Sequence, residues 1–251
     1  MNYITFKKTL KKIDIKNDDV VMLHSDLTNF MPKASWYKKC DTFSKYLNKF
    51  FGTKGTVLVP TFTYSFCKTG IYNKKKTKSE LGIFSEFYRN KKINFRSNHP
   101  IFSFASSGKL KDFFIKKNSN SSTGKGSLFE KFYKKNGKIL LFGVGIHTCT
   151  FLHYIEQTNK VPYRYSKYFF SKKNKKSFEF YVRRTDTYFY YDPNKYSKLE
   201  TALEKSVILK KLKRNKIIVK SVSSQSLFNF VKEKLEKNIF FIIGKKPKKI
   251  I

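Results

Sequence analysis

Apolar residues in this chain fall in short dense runs separated by stretches of helical spacing. Val20-Val21-Met22-Leu23, Thr56-Val57-Leu58-Val59 and Ile139-Leu140-Leu141-Phe142 are largely apolar runs of strand length. Strands buried on both faces of a sheet need such runs. Between them the period lengthens. Residues 3–12 read as a short amphipathic helix, and residues 37–51 as a longer one with Phe43, Leu47, Phe50 and Phe51 apolar. Ser79 to Tyr88 starts with a capping residue and predicts a further helix. Residues 101–105 predict a strand, 127–135 a helix, 138–142 a strand, and a helix follows from about 149. Strands alternating with helices predict a layered α/β fold.

After residue 160 the pattern changes. Ser177–Arg183 and Thr187–Tyr191 read as antiparallel strands, with Lys172-Lys173-Asn174-Lys175-Lys176 as an exposed hairpin tip. Helix 194–211, strand 215–220, helix 223–237 and strand 239–243 complete the reading. No internal repeat or linker is evident, so 1–251 reads as one domain, with a smaller C-terminal subdomain from about 166 as the variant.

Composition adds bounds. At 251 residues with 18% aromatics, the chain has ample material for a core. Its three cysteines, Cys40, Cys67 and Cys149, are widely spaced and form no metal-ligand pattern, so no metal is expected. Sparse cysteines, no signal-peptide core and no run of about 20 apolar residues point to a cytoplasmic protein without a membrane span. The formal charge is +37, from 54 Lys+Arg against 17 Asp+Glu. An anionic partner is one reading. Yet only six of the basic residues are arginine, and the lysines are spread along the whole chain, which fits compositional drift better than a dedicated nucleic-acid surface.

The segment with most chemistry follows the strand at 138–142. Gly143-Val144-Gly145 permits a sharp turn, Thr148 or Thr150 can cap the next helix, and His153 and Glu156 lie three residues apart on one face. Near a helix N-terminus a histidine stays neutral, as a general base must, and the carboxylate can orient its ring.

Four blocks of sequence, in order, resemble the aminoglycoside 3-N-acetyltransferase family. They are Leu23-His24-Ser25-Asp26-Leu27, Val59–Ser65, Arg96–Gly108 and Gly143–Glu156, the last extended to Pro162-Tyr163-Arg164-Tyr165. Gly126–Tyr133 resembles the family's loop and helix between the third and fourth. All four histidines of the chain fall in these blocks. The resemblance implies a layered α/β/α fold with a mixed central sheet, distinct from the GNAT acetyltransferases. It implies acyl transfer from acetyl-CoA, as cosubstrate, to the amine of an amino sugar or aminoglycoside. It places His153 as base, with Glu156, Asp186, Asp192 or Glu179 as its carboxylate. His24, Ser25, Ser97, His99, Ser103, Gly145 and Thr148 stand where the donor would bind.

The chain departs from the family at His147 and Cys149, where Asp and Asn are usual. Its charge opposes a polycationic drug and suggests an amino sugar with fewer amines, such as a nucleotide-linked one. Two other readings compete. Cys149 could act as a nucleophile, although a buried cysteine at a helix start is usually packing. A basic nucleic-acid-binding protein without catalysis would draw on the aromatic run Tyr188-Phe189-Tyr190-Tyr191. The GxGxxG fingerprint is incomplete because position 148 is Thr.

Overall fold

The computed structural model describes residues 1–243 apart from 93, 117, 174 and 185–192. In chain order the elements are α1 (Tyr3–Lys12), β1 (Val20–Ser25), α2 (Trp36–Phe51), β2 (Thr56–Pro60), α3 (Phe66–Thr69), α4 (Ile83–Arg89), β3 (Phe95–Arg96), β4 (Phe104–Gly108) and α5 (Lys111–Ile115). They continue with α6 (Leu128–Lys134), β5 (Lys138–Phe142), α7 (Leu152–Thr158), β6 (Arg164–Phe170), β7 (Ser177–Arg183), α8 (Pro193–Lys205), β8 (Lys210–Arg214), β9 (Ile217–Ser223) and α9 (Ser224–Lys237).

Seven strands form one sheet in the order β3-β4-β2-β1-β5-β9-β8. The centre is parallel: β1 pairs with β2 and with β5. The flanks are antiparallel, through β4 beside β2 and β9 beside β5. Alternation along each strand builds two cores. Val21, Leu23, Val57, Val59, Leu140 and Phe142 face α1, α2 and α4, whose contributions include Phe6, Phe43, Leu47 and Tyr88. Met22, Leu58, Ile139 and Leu141 face the opposite layer, which includes Phe129, Phe132, Ile155, Leu203, Leu227 and Val231. The arrangement is the expected α/β/α sandwich around a mixed sheet.

Local chemistry sets the element ends. Asn2, Ser35, Ser127 and Ser223 each accept a backbone N–H at the start of α1, α2, α6 and α9. At Gly108, φ is +95° and an added Cβ would stand 2.1 Å from the carbonyl oxygen of Gly55, so only glycine fits where β4 leaves β2.

Several predicted elements shift or change. The strand expected at 101–105 begins at Phe104, because His99 Nδ1 accepts the N–H groups of Ile101 and Phe102 and folds those residues into a turn. The helix expected from Ser79 begins at Ile83, since Glu86 reaches back to the Ser79 N–H and Gly82 sits at φ +95°. The helix expected over 194–211 stops at Lys205. Val207 adopts φ +59° there, and Lys210–Arg214 is the edge strand β8. Residues 239–243 end in a 3-10 turn rather than a strand. Ser177–Arg183 pairs antiparallel with Arg164–Phe170, a strand that the sequence reading passed over. The expected strand 187–191 lies outside the described residues, and the tip at 172–176 closes the β6–β7 hairpin through Ser171 N–H to Lys176 O.

Phe142 joins the central strand to the helical layer. Its ring packs against Phe6, Phe30 and Phe43 at centroid distances of 6.3, 6.0 and 4.7 Å. Phe142→Ala should therefore lower unfolding free energy by about 3–5 kcal/mol in urea titration. A loss under about 1 kcal/mol would show that this contact does not hold the layers together.

Candidate active site

The three parallel strands run in one direction, so the loops after β1, β2 and β5 gather at one edge of the sheet, where α/β proteins place their chemistry. The loop after β5 is sharply bent. Gly143 has φ +73°, and a Cβ there would lie 2.5 Å from the carbonyl oxygen of Asp26, which follows β1. Its N–H donates to Ile218 O at 2.8 Å. A 3-10 turn, Ile146–Thr148, comes next. Thr148 Oγ1 donates to Gly145 O at 2.9 Å and so closes this turn. From α8, Glu200 accepts the Ile146 N–H at 2.8 Å and pairs with Lys220 of β9. The loop is thus tied to three separate parts of the chain.

The helix begins at Leu152, later than expected, and neither Thr148 nor Thr150 caps it with a side chain. His153 occupies its first turn. His153 Nδ1 lies 2.9 Å from Glu156 Oε2, on the same face of α7 as the spacing predicts. Glu156 is 1% exposed. The same oxygen forms an ion pair at 2.8 Å with Arg164 Nε, and the guanidinium donates through Nη1 to Tyr181 O at 3.1 Å. Burial alone would raise the Glu156 carboxyl, but Arg164 and then His153 outweigh it and hold the group at about 2. Glu156 is therefore ionised and needs a donor, so His153 carries its proton on Nδ1 and presents Nε2 as a lone pair.

His153 is held below the ordinary histidine range, first by burial and then by the Arg164 charge, with Glu156 opposing both. Neutrality at pH 7 is what the sequence suggested, but burial and Arg164 are its main causes. The side chain remains 27% exposed, enough for one ring edge to meet a ligand. His24, near the end of β1, is pushed down to about 3 by burial and by the nearby His153. Its Nε2 is buried without a hydrogen-bond partner among the described residues. Phe102 stands edge-on to His153 at 6.2 Å, Phe180 lies 5.0 Å from Phe102, and Tyr64 stacks on Phe180 at 6.2 Å. These rings form an aromatic wall beside the imidazole.

The remaining sequence candidates divide. Ser25 is half-buried at the end of β1, and Gly145 and Thr148 form the bent loop. Ser97, His99 and Ser103 are buried and take hydrogen-bond partners within the protein. Ser97 Oγ accepts the Phe104 N–H at 2.9 Å. His99 Nε2 donates to Asn120 O at 3.2 Å while Nδ1 accepts from Phe102. Ser103 Oγ donates to Thr61 O at 2.7 Å and accepts from Arg96 Nε at 3.0 Å. Together they set the backbone on either side of Phe102, and so the wall against His153. Glu179 is bonded to Gln157 and Ser166 and lies apart from the His153–Glu156 pair. Asp186 and Asp192 lie outside the described residues. Cys149 is buried, and burial pushes its thiol up to about 12, the opposite of what a nucleophile needs.

Sequence reasoning quoted Arg164 but gave it no role, and it missed Phe102, Phe180, Glu200 and Lys220. Only Arg164 left a signal, as an arginine in a chain whose cations are nearly all lysine. Among the described residues no group of three His, Cys, Asp or Glu could hold a metal ion, and no helix is long and apolar enough to cross a membrane.

Comparison with known proteins agrees with this geometry. Residues 22–236 match the family model for aminoglycoside 3-N-acetyltransferase. No curated protein sequence matches the chain. Among solved structures, the aminoglycoside acetyltransferase AAC(3)-IVa apoenzyme superposes with a TM-score of 0.78 at 17% identity, covering 96% of this chain and 90% of that one. AAC-IIIb in a binary complex with CoASH gives 0.77 at 18% identity, with 94% and 97% covered. YokD from Bacillus subtilis gives 0.75 at 18% identity, with 94% of each chain covered. A match over most of the chain, on a shared fold, establishes that this protein belongs to the aminoglycoside 3-N-acetyltransferase family and, with it, to the N-acetyltransferases.

Proposed function

We propose that the protein transfers an acetyl group from acetyl-CoA to the primary amine of an amino sugar, with His153 as general base. The observation that carries this is the Arg164–Glu156–His153 chain, in which an ionised Glu156 favours a neutral imidazole protonated on Nδ1, with Nε2 as the lone pair. Nε2 takes the amine proton, Glu156 steadies the ring and stabilises the imidazolium, and Arg164 keeps Glu156 ionised. Acetyl-CoA, as in the CoASH complex of AAC-IIIb, would supply an activated thioester carbonyl. The residues present fit it: the unpartnered His24 Nε2, Ser25 and the bent loop at Gly145 and Thr148 lie at the same edge of the sheet, before α7. The aromatic wall of Phe102 and Phe180 excludes water from this edge.

The acceptor is an amino sugar bearing anionic groups, such as a nucleotide-linked one, rather than a polycationic drug. Four described carboxylates around the site take donors from this chain, and two of them, Glu156 and Glu200, are paired with its cations. Glu80 accepts the Tyr64 and Ser65 N–H groups, Glu156 holds His153 and Arg164, Glu179 holds Gln157 and Ser166, and Glu200 holds Ile146 and Lys220. Arg183 lies near enough to His153 to repel a cation there. With a chain at +37, a multiply charged cation meets net repulsion.

His153→Ala should lower kcat by about 10²–10⁴ with an unchanged circular dichroism spectrum. Because His153 titrates below the usual value of about 6.5, wild-type kcat/KM should stay level down to that pH and fall only below it, as the base is protonated. Glu156→Gln removes the charge that favours imidazolium, so its acid limb should move to still lower pH while kcat drops. An unshifted limb would separate Glu156 from the base.

The acceptor is tested with acetyl-CoA and a panel of amines. Nucleotide-linked amino sugars should turn over with at least about tenfold higher kcat/KM than kanamycin-type drugs, and the reverse order would refute the anionic acceptor.

A further inference from the structure

Residues 67–79 and 165–177 carry ten lysines and no Asp, Glu or Arg. The first segment runs from α3 into the loop that follows it, and the second is β6 with its hairpin tip. They meet at Gly70, whose carbonyl accepts the Lys172 N–H at 3.0 Å. A Cβ on Gly70 would stand 2.7 Å from Phe170 O, so the contact is backbone against backbone. All ten lysines are exposed. None of them forms an ion pair among the described residues, although lysines elsewhere do so with Asp14, Asp41, Glu130 and Glu204.

Apolar side chains stand among these charges. Tyr168 is 66% exposed, Ile71 60% and Phe170 52%. Residues 165–168 are exposed in succession, so both faces of β6 meet solvent there and the ribbon protrudes.

We propose that this ribbon and the adjoining loop dock on an anionic lipid bilayer, with Tyr168, Phe170 and Ile71 entering the headgroup region and the lysines contacting lipid phosphates. A dense cluster of lysines beside exposed apolar groups is the composition that such surfaces attract. A single-stranded nucleic acid is the less suitable partner. It favours a groove that tracks its backbone and arginine forks for its phosphates, whereas this surface is a ridge whose cations are all lysines. Because β6 and β7 also carry Arg164 and Phe180, docking sets the candidate site beside the membrane. The proposal does not depend on the acetyltransferase reading.

The test is sedimentation of the full chain with vesicles of phosphatidylcholine containing about a third phosphatidylglycerol, at about 0.15 M salt. A chain at +37 has a general attraction to such vesicles, so the comparison is between faces. Replacing Lys172, Lys173, Lys175 and Lys176 by Gln should weaken partitioning at least tenfold, at about fivefold per lysine for intimate contact. The same replacement at Lys7, Lys8, Lys11 and Lys12, on exposed positions of α1, should weaken it less than about threefold. Tyr168→Ser with Phe170→Ser should weaken binding and leave a residue of the effect at high salt. Unchanged thermal melting confirms that each variant is folded. Equal losses from the two lysine sets would overturn the proposal, as would undiminished binding by the Tyr168/Phe170 variant. So would tight binding of oligouridylate through the same lysines with no affinity for vesicles.

Discussion

The carboxylate of Glu156 is almost wholly removed from water, and the candidate site depends on how its charge is held. A buried carboxylate with no partner takes up a proton. Here Arg164 and His153 meet one of its oxygens at 2.8 and 2.9 Å, and the group stays ionised. Three consequences follow from that one charge. Arg164, itself buried, gains the counter-ion that makes its burial tolerable. His153 is fixed in one tautomer. The first turn of α7 is tethered to the start of the β6–β7 hairpin. Loss of Arg164 would leave Glu156 as a buried charge without a counter-ion, a cost of about 3–5 kcal/mol, so chemistry and local stability share the same atoms.

The fold delivers these atoms from distant parts of the sequence. The parallel centre of the sheet brings His24 on β1 and the loop after β5 to one edge. The Glu200–Lys220 pair, from the last third of the chain, holds that loop through the Ile146 N–H. Ser97, His99, Ser103 and Arg96 build a buried polar frame around Phe102, which then stands against the imidazole. Much of what surrounds the base is therefore positional. It fixes rings and backbones around the imidazole of His153.

Legibility in the sequence followed the range of the interactions. β1, β2 and β5 were readable because a strand buried on both faces must be apolar throughout. His153 and Glu156 were readable because three residues on a helix is a local relation. Elements set by tertiary hydrogen bonds were not. The turn at Ile101–Ser103 depends on His99, and the late start of α4 depends on Glu86 reaching back to Ser79. β6 was hidden because its exposed positions 165–168 break the alternation that marks a half-buried strand. The Arg164–Glu156 pair spans two elements and has no local signature, so the local spacing pointed to Glu156 but not to the arginine that holds it.

The family membership and the charge of this chain pull in different directions. Of the carboxylates near the site, Glu156 and Glu200 are paired with Arg164 and Lys220 of this chain. All of this rests on one protonation state. The most direct test is nitrogen-15 NMR of the His153 ring in the free enzyme, followed across pH. The account predicts a neutral ring at pH 7, protonated on Nδ1, with its titration midpoint below about 6.5. An imidazolium at neutral pH, or a proton on Nε2, would contradict it.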